Sequence, residues 1–190
     1  MEQSPDDQVE RAARYYAGYV VSSWWSGLVL GDVIIHPDGT GQARPPEVWQ
    51  LLDTPHLQDR PPTADPALPP VLQSPRNEDE IHRRLAAVVY EVGSGTPDLA
   101  EQLADVDHPD LAMVRALLSK MWFARATTPQ EALADYIQKT QRFLEDPVIE
   151  EILWNVEQTF LLQRQLTGPE LTQILKSRAP RAQDFPEDAP

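Results

Sequence analysis

The chain has 190 residues, of which 41% are hydrophobic and 24% charged, and its formal net charge is −14. That length suffices to bury a core, and the composition is ordinary for a globular protein. So acidic a surface repels a phosphate backbone unless basic residues cluster. The only local basic pairs, Arg11 with Arg14 and Arg83 with Arg84, sit among acids, so direct nucleic-acid binding is disfavoured.

Cysteine is absent, which removes disulfide and thiolate chemistry and agrees with a cytoplasmic protein. No apolar run approaches the length of a membrane span. The opening residues Met1 to Asp7 are polar and acidic, unlike a secretory leader.

A first helix is expected from Asp6 or Asp7, whose carboxylates suit a helix start. Val9, Ala13, Tyr16, Val20 and Trp24 recur at three- and four-residue spacing and predict one buried stripe. Tyr15 and Tyr19 share a flanking face. Gly18 inside the helix costs roughly 1 kcal/mol relative to alanine, a cost usually accepted where another chain segment must come close. Gly31 to His36 is the best strand, and Pro37-Asp38-Gly39-Thr40-Gly41 a turn. A second short strand is limited by Pro45-Pro46, and Glu47 to Leu52 suggests a helical turn. The stretch 54–77, rich in proline and without periodicity, reads as a long loop.

The remainder reads as helical. Glu80 to Val92 places Ile81, Leu85, Val88 and Val92 on one face, and Gly93-Ser94-Gly95 stops it. Asp98 to Leu103 adds a turn. Pro109 opens a helix with Leu111, Val114, Leu118, Met121 and Trp122 inside. Thr128-Pro129-Gln130-Glu131 and Thr167-Gly168-Pro169-Glu170 have the form of capping boxes, and Asp146-Pro147 starts the helix between them. Residues 179–190 form an acidic, proline-rich tail expected to be disordered. One domain over residues 1–178 is expected.

Three pieces carry a resemblance. Arg11-Ala12-Ala13-Arg14-Tyr15-Tyr16-Ala17-Gly18-Tyr19-Val20-Val21 resembles the A-x-H-E-A-G-H-A-V helix of the FtsH-type zinc metallopeptidases, in their stand-alone form without the ATPase. Val33 to Gly41 resembles the strand and glycine turn that follow that helix. Ile149 to Leu175 resembles the last two helices of the family. The resemblance implies a mostly α scaffold of the α+β class, with one short strand or β-hairpin after the first helix.

It also implies a lost site. In H-E-x-x-H, histidines four apart reach one zinc and the glutamate activates the bound water. The histidine positions correspond here to Tyr15 and Tyr19 and the glutamate position to Tyr16. A phenol with a pKa near ~10 is a poor zinc ligand at neutral pH and cannot replace a carboxylate base. The family's third ligand, an aspartate, is best matched by Asp110, which then survives as a vestigial ligand. One carboxylate makes no zinc site. No G-x-x-x-x-G-K-[ST] phosphate loop occurs.

The tyrosines can pack and hydrogen-bond in the former metal space, line an aromatic pocket, or bind a harder metal as phenolates. Packing is the favoured reading, since buried tyrosines usually satisfy one hydroxyl and no more. His36, His56, His82 and His108 share no ligand spacing, although His82 and His108 could meet Asp110 across helices. Glu78, Asp79 and Glu80 suit a helix N-terminus. Of Trp24 and Trp25, one ring should face the core and the other point away from it, marking an interface if exposed or else covered by a neighbouring loop such as the proline-rich one. Ser22, Ser23, Ser26 and Ser94 lack the flanking pattern of a nucleophilic serine.

The leading expectation is a pseudopeptidase without cofactor or metal that serves as a protein-interaction or regulatory module, with a protein partner or as a homodimer and without a membrane. The alternatives are a hydrolase of altered chemistry with a non-standard metal site at Asp110, and an acidic protein that sequesters a nucleic-acid-binding partner.

Overall fold

The computed structural model describes residues 4–44, 77–104, 106–120 and 128–178. The expected helical turn at 47–52, most of the 54–77 loop, Met121, Trp122 and the 179–190 tail lie outside them. The fold is mostly α. Among the described residues there are seven helices, α1 (Pro5–Trp25), α2 (Asn77–Val92), α3 (Leu99–Ala104), α4 (Pro109–Lys120), α5 (Pro129–Leu144), α6 (Pro147–Gln163) and α7 (Gly168–Arg178). Three short strands, β1 (Val33–Ile35), β2 (Gly41–Ala43) and β3 (Gln165–Leu166), complete it. No described helix is long and apolar enough to cross a membrane.

Local chemistry sets the helix ends. α1 begins one or two residues before the expected Asp6 or Asp7, because Ser4 caps it. The Ser4 hydroxyl accepts from the Asp6 N–H at 3.3 Å, and the Asp7 carboxylate accepts from the Ser4 N–H at 3.3 Å. The capping boxes at Thr128–Glu131 and Thr167–Glu170 form as the spacing predicts, and Asp146 caps α6 through the Val148 N–H at 2.9 Å. At the other end of α3, the Arg115 guanidinium donates to the Leu103 and Ala104 carbonyls, at 3.0 and 2.6 Å. It thereby satisfies acceptors that a short helix leaves open.

α1 runs through the middle of the molecule, with α2 on one side and α6 on another. Its buried face is broader than a single stripe. Ala12, Ala17, Gly18, Val21, Ser22 and Ser23 join Val9, Ala13, Tyr16 and Val20. On α2, Ala86, Ala87 and Val89 extend the face formed by Ile81, Leu85 and Val88. Val92, expected inside, is exposed; it is the last residue of the helix, and Gly93 turns the chain away at φ +110°. Small residues meet where α1 lies on α2. A Cβ added at Gly18 would overlap the Ala86 carbonyl oxygen and stand 3.0 Å from the Ala87 Cα. The glycine is there because backbone, not a yielding side chain, fills its missing side-chain space.

The sheet has the order β2-β1-β3, antiparallel throughout. The hairpin between β1 and β2 was expected; β3 was not. Arg164 caps α6 in the left-handed region at φ 60°, and its carbonyl accepts from the Ile35 N–H at 2.7 Å. That turn sends the chain from α6 back along β1, pairing Val33 with Leu166. Two residues of strand have too little periodicity to be read from sequence. At the hairpin tip, Gly39 has φ +77° and sits against the Gln8 backbone. The Asp38 carboxylate closes the turn by accepting from the Thr40 N–H at 2.9 Å and its hydroxyl at 2.6 Å. Gly41 lies under the Tyr16 ring. The hairpin is thus pinned over the first half of α1.

Gly18→Ala should destabilise the protein by about 1–3 kcal/mol, because the overlap is with backbone and α2 must shift. Urea unfolding measures it. A stability equal to or above that of the original would mean α1 and α2 do not pack this closely.

Candidate functional site

The three tyrosines occupy successive parts of one face of α1. The Tyr15 and Tyr16 rings meet edge to face, with centroids 5.0 Å apart. Tyr16 packs over the hairpin, and Tyr19 lies under the Arg83 guanidinium, 5.3 Å from its ring centroid. Asp110, in the first turn of α4, is 6% exposed, a low value for a carboxylate, so its partners decide its role.

Both Asp110 oxygens are taken. The Tyr15 hydroxyl donates to Oδ2 and the Arg84 Nη1 to Oδ1. Arg84 also donates through Nε to the Glu80 carboxylate at 2.5 Å, and Glu80 pairs in turn with Arg83. The acidic run at 78–80 thus does more than favour a helix start, since Glu80 holds two arginines of its own helix in place. The Asp110 N–H donates to His108 Nδ1 at 3.1 Å, so that ring caps α4 and His108 Nε2 faces Glu91 at 3.9 Å. The Asp110 partner on α1 is Tyr15, and no hydrogen bond joins Asp110 to Tyr19.

A second carboxylate is built the same way. Glu157 on α6 is 7% exposed. It accepts from the Tyr90 hydroxyl at 2.8 Å and from Arg14 Nε at 3.4 Å. Each acid therefore receives one phenol and one guanidinium. α1 supplies Tyr15 to Asp110 and Arg14 to Glu157; α2 supplies Arg84 to the first and Tyr90 to the second. A further pair, Arg11 with Glu91 at 2.6 Å, again joins α1 to α2. Asp110 thus has the surroundings of a structural carboxylate, matched by one with no place in the expected metal motif.

Burial pushes the Tyr15 phenol far up, and its bond to Asp110 pushes it further. Burial, and next the Asp110 charge, raises Tyr16 to about 12. Tyr90 is raised by burial and by its bond to Glu157. Each of these shifts favours the neutral phenol, the form in which Tyr15 and Tyr90 donate to Asp110 and Glu157.

Between α1 and the hairpin tip lies an open cleft of about 340 Å³, lined by Arg11, Tyr15, Tyr16, Thr40, Gly41 and Glu91 among others. The Asp38 carboxyl beside it is held below its usual range by the Thr40 hydroxyl and N–H. Among the described residues, no three His, Asp or Glu side chains converge as a metal-binding set. His82 stands elsewhere, edge-on to Tyr136 at 5.3 Å, and does not join His108 and Asp110. Trp24 packs partly against the core. Trp25 is 44% exposed while touching Trp24 and Phe143 at its edges.

Sequence reasoning missed Arg84, Glu157, Tyr90 and Arg14. A signal existed for two of them. Arg84 follows Glu80 at the i,i+4 spacing of a helical ion pair. Glu157 falls four residues after Leu153 and three before Phe160, within an apolar stripe, where a carboxylate needs a partner.

No protein-family model matches the chain, and no curated protein matches it significantly.

Tyr15→Phe should cost about 1.5–3 kcal/mol, the range for a hydrogen bond to a charged group. Asp110→Ala should cost about 2–4 kcal/mol, somewhat below a fully buried pair because Arg84 is a quarter exposed. Denaturant unfolding checks both, and a neutral Asp110→Ala would remove the structural role. The phenols give a pH prediction of definite sign. The folded-state pKa of Tyr16 is about 12, against ~10 for an unfolded tyrosine. Its contribution to stability is therefore complete below pH ~10 and is lost as pH rises from ~10 to ~12. Tyr15 and Tyr90 act in the same direction. Urea midpoints should fall across that window, and phenolate absorbance at pH ~11 should stay below that of the urea-unfolded chain.

Proposed function

We propose that this chain is a catalytically inactive metallopeptidase-like protein that works as a protein-interaction or regulatory module. It would keep the helical scaffold that its first helix, hairpin and last two helices resemble, without the zinc chemistry. The observation that carries the reading is the state of the would-be site. Tyr15, Tyr16 and Tyr19 stand where two imidazoles and a carboxylate would be needed, and Asp110 is committed to the Tyr15 hydroxyl and the Arg84 guanidinium. An arginine beside the remaining acid supplies the positive charge that a metal would otherwise bring, and it needs no other ligands.

Working through a surface requires an exposed apolar face. Trp25 is 44% exposed at the end of α1, and Trp154 and Leu162 on α6 are 58% and 84% exposed. Aromatic side chains of this kind anchor interfaces.

Metal analysis of the purified protein by mass spectrometry should find no stoichiometric transition metal, and an unfolded protein substrate should remain uncleaved. One tightly held metal per chain would instead favour a hydrolase with a non-standard site at Asp110. The double substitution Tyr15→His with Tyr19→His, combined with Arg84→Met to free Asp110, should raise zinc affinity at least tenfold by calorimetry if α1 keeps the register of a metallopeptidase helix. No gain in a variant that still folds would remove that register from the reading.

A further inference from the structure

A second pocket, on the far side of Tyr19 from the hairpin cleft, has a different chemistry. It encloses about 230 Å³ between the second half of α1, the segment leading into β1, the end of β2 and Arg83 of α2. The chain carries 30 acidic residues against 16 basic ones, yet among the described residues no Asp or Glu lines this pocket, while Arg44 and Arg83 both do. The nearest acids are turned to other partners. Glu80 is shared between Arg83 and Arg84, and Asp32 accepts from the Gly168 N–H at 3.0 Å. Asp110, taken by Tyr15 and Arg84, and Asp79, in the first turn of α2, act on Arg83 from outside the lining.

Arg83 is not fully served where it stands. Its guanidinium lies over the Tyr19 ring, and its Nε–H finds no acceptor among the described residues. Burial draws its pKa below the ordinary arginine range, as expected of a cation whose lost hydration is incompletely replaced. Arg44 is exposed at the rim and makes no ion pair with a described residue. The opposite wall is apolar, formed by Val20, Leu30 and Val33 among others. A partly enclosed pocket, mostly apolar with a few convergent polar groups, is the usual form of a small-ligand site.

We propose that this pocket binds a small carboxylate bearing an apolar group, with the carboxylate between Arg44 and Arg83 and the apolar part against Val20, Leu30 and Val33. Guanidinium forks match planar carboxylates, which are read through paired N–H donors. A fully ionised phosphate would gain less from a wall of aliphatic side chains. The volume equals about eight waters at ~30 Å³ each, which suits a ligand of roughly eight to ten non-hydrogen atoms. The C-terminal residue of a peptide ending in leucine has this chemistry, and so has a free branched-chain acid. The inference does not depend on the peptidase resemblance.

The test is a titration of the full chain followed by amide NMR, with four probes: isocaproate, its primary amide, inorganic phosphate, and a short peptide ending in Ala-Leu with a free carboxylate. Isocaproate should give saturable shifts at Tyr19, Leu30 and Ala43, with the amide at least tenfold weaker. Arg44→Gln, at the exposed rim, should weaken isocaproate several-fold while leaving the rest of the spectrum unchanged. Arg83→Gln should weaken it more than tenfold, judged only where the spectrum shows an intact fold. Peptide binding at the same residues would assign the site to chain ends, and binding of the free acid alone to small metabolites. Equal affinity for acid and amide, binding of phosphate as tight as that of isocaproate, or no saturable shift up to ~10 mM would overturn the proposal.

Discussion

Where α1 crosses α2, the Ala86 carbonyl oxygen occupies the space that any side chain at residue 18 would need. That close approach sets the distance at which the polar residues of the two helices can work together. Arg11 reaches Glu91 across it, and Arg14 and Tyr90 converge on one acid while Tyr15 and Arg84 converge on another. If the helices were pushed apart by the width of a methyl group, each of these bonds would lengthen together. The glycine is thus as much a condition of the electrostatics as of the packing.

The two carboxylates act as tie points between helices distant in sequence. Asp110 links α4 to α1 and α2, and Glu157 links α6 to the same two. An apolar pair of similar volume could hold such a junction at equal or lower energy, because desolvating two charges is costly. What the polar junction adds is angular selectivity. A leucine tolerates a helix rotated by some tens of degrees, whereas a phenol and a guanidinium aimed at separate oxygens of one carboxylate do not. Because both arrangements draw on α1 and α2, the relative rotation of these helices is specified twice.

Most of the helical framework was legible because it is written in local chemistry. Capping boxes at Thr128 and Thr167, prolines at first helical positions and apolar periods locate α5, α6 and α7 to within a residue or so. The close approach at Gly18 was legible for a related reason: a glycine in mid-helix has a cost that only tertiary structure offsets. What escaped was whatever depends on pairs far apart in sequence. β3 is too short to carry a period and exists only because β1 offers an edge. The choice of Tyr15 over Tyr19 as the partner of Asp110 depends on where α4 lands, which no property of residues 11 to 21 records. Arg84 appeared only as half of a basic pair, because its role requires Asp110 as well as Glu80.

β3 also has a bearing on the order of events during folding. The sheet joins a hairpin from the beginning of the chain to two residues that follow α6, so its central strand has one neighbour close in sequence and one remote. Closing the first pairing costs little loop entropy, and closing the second requires most of the helical body to be in place. On a chain emerging from the ribosome, the Val33–Ile35 backbone is paired on one side and bare on the other until residues 165–166 have been made. A segment rich in β-branched residues with an open edge is the kind that pairs with the wrong chain. The left-handed turn at Arg164 therefore acts late, as the step that removes an adhesive edge from the finished molecule.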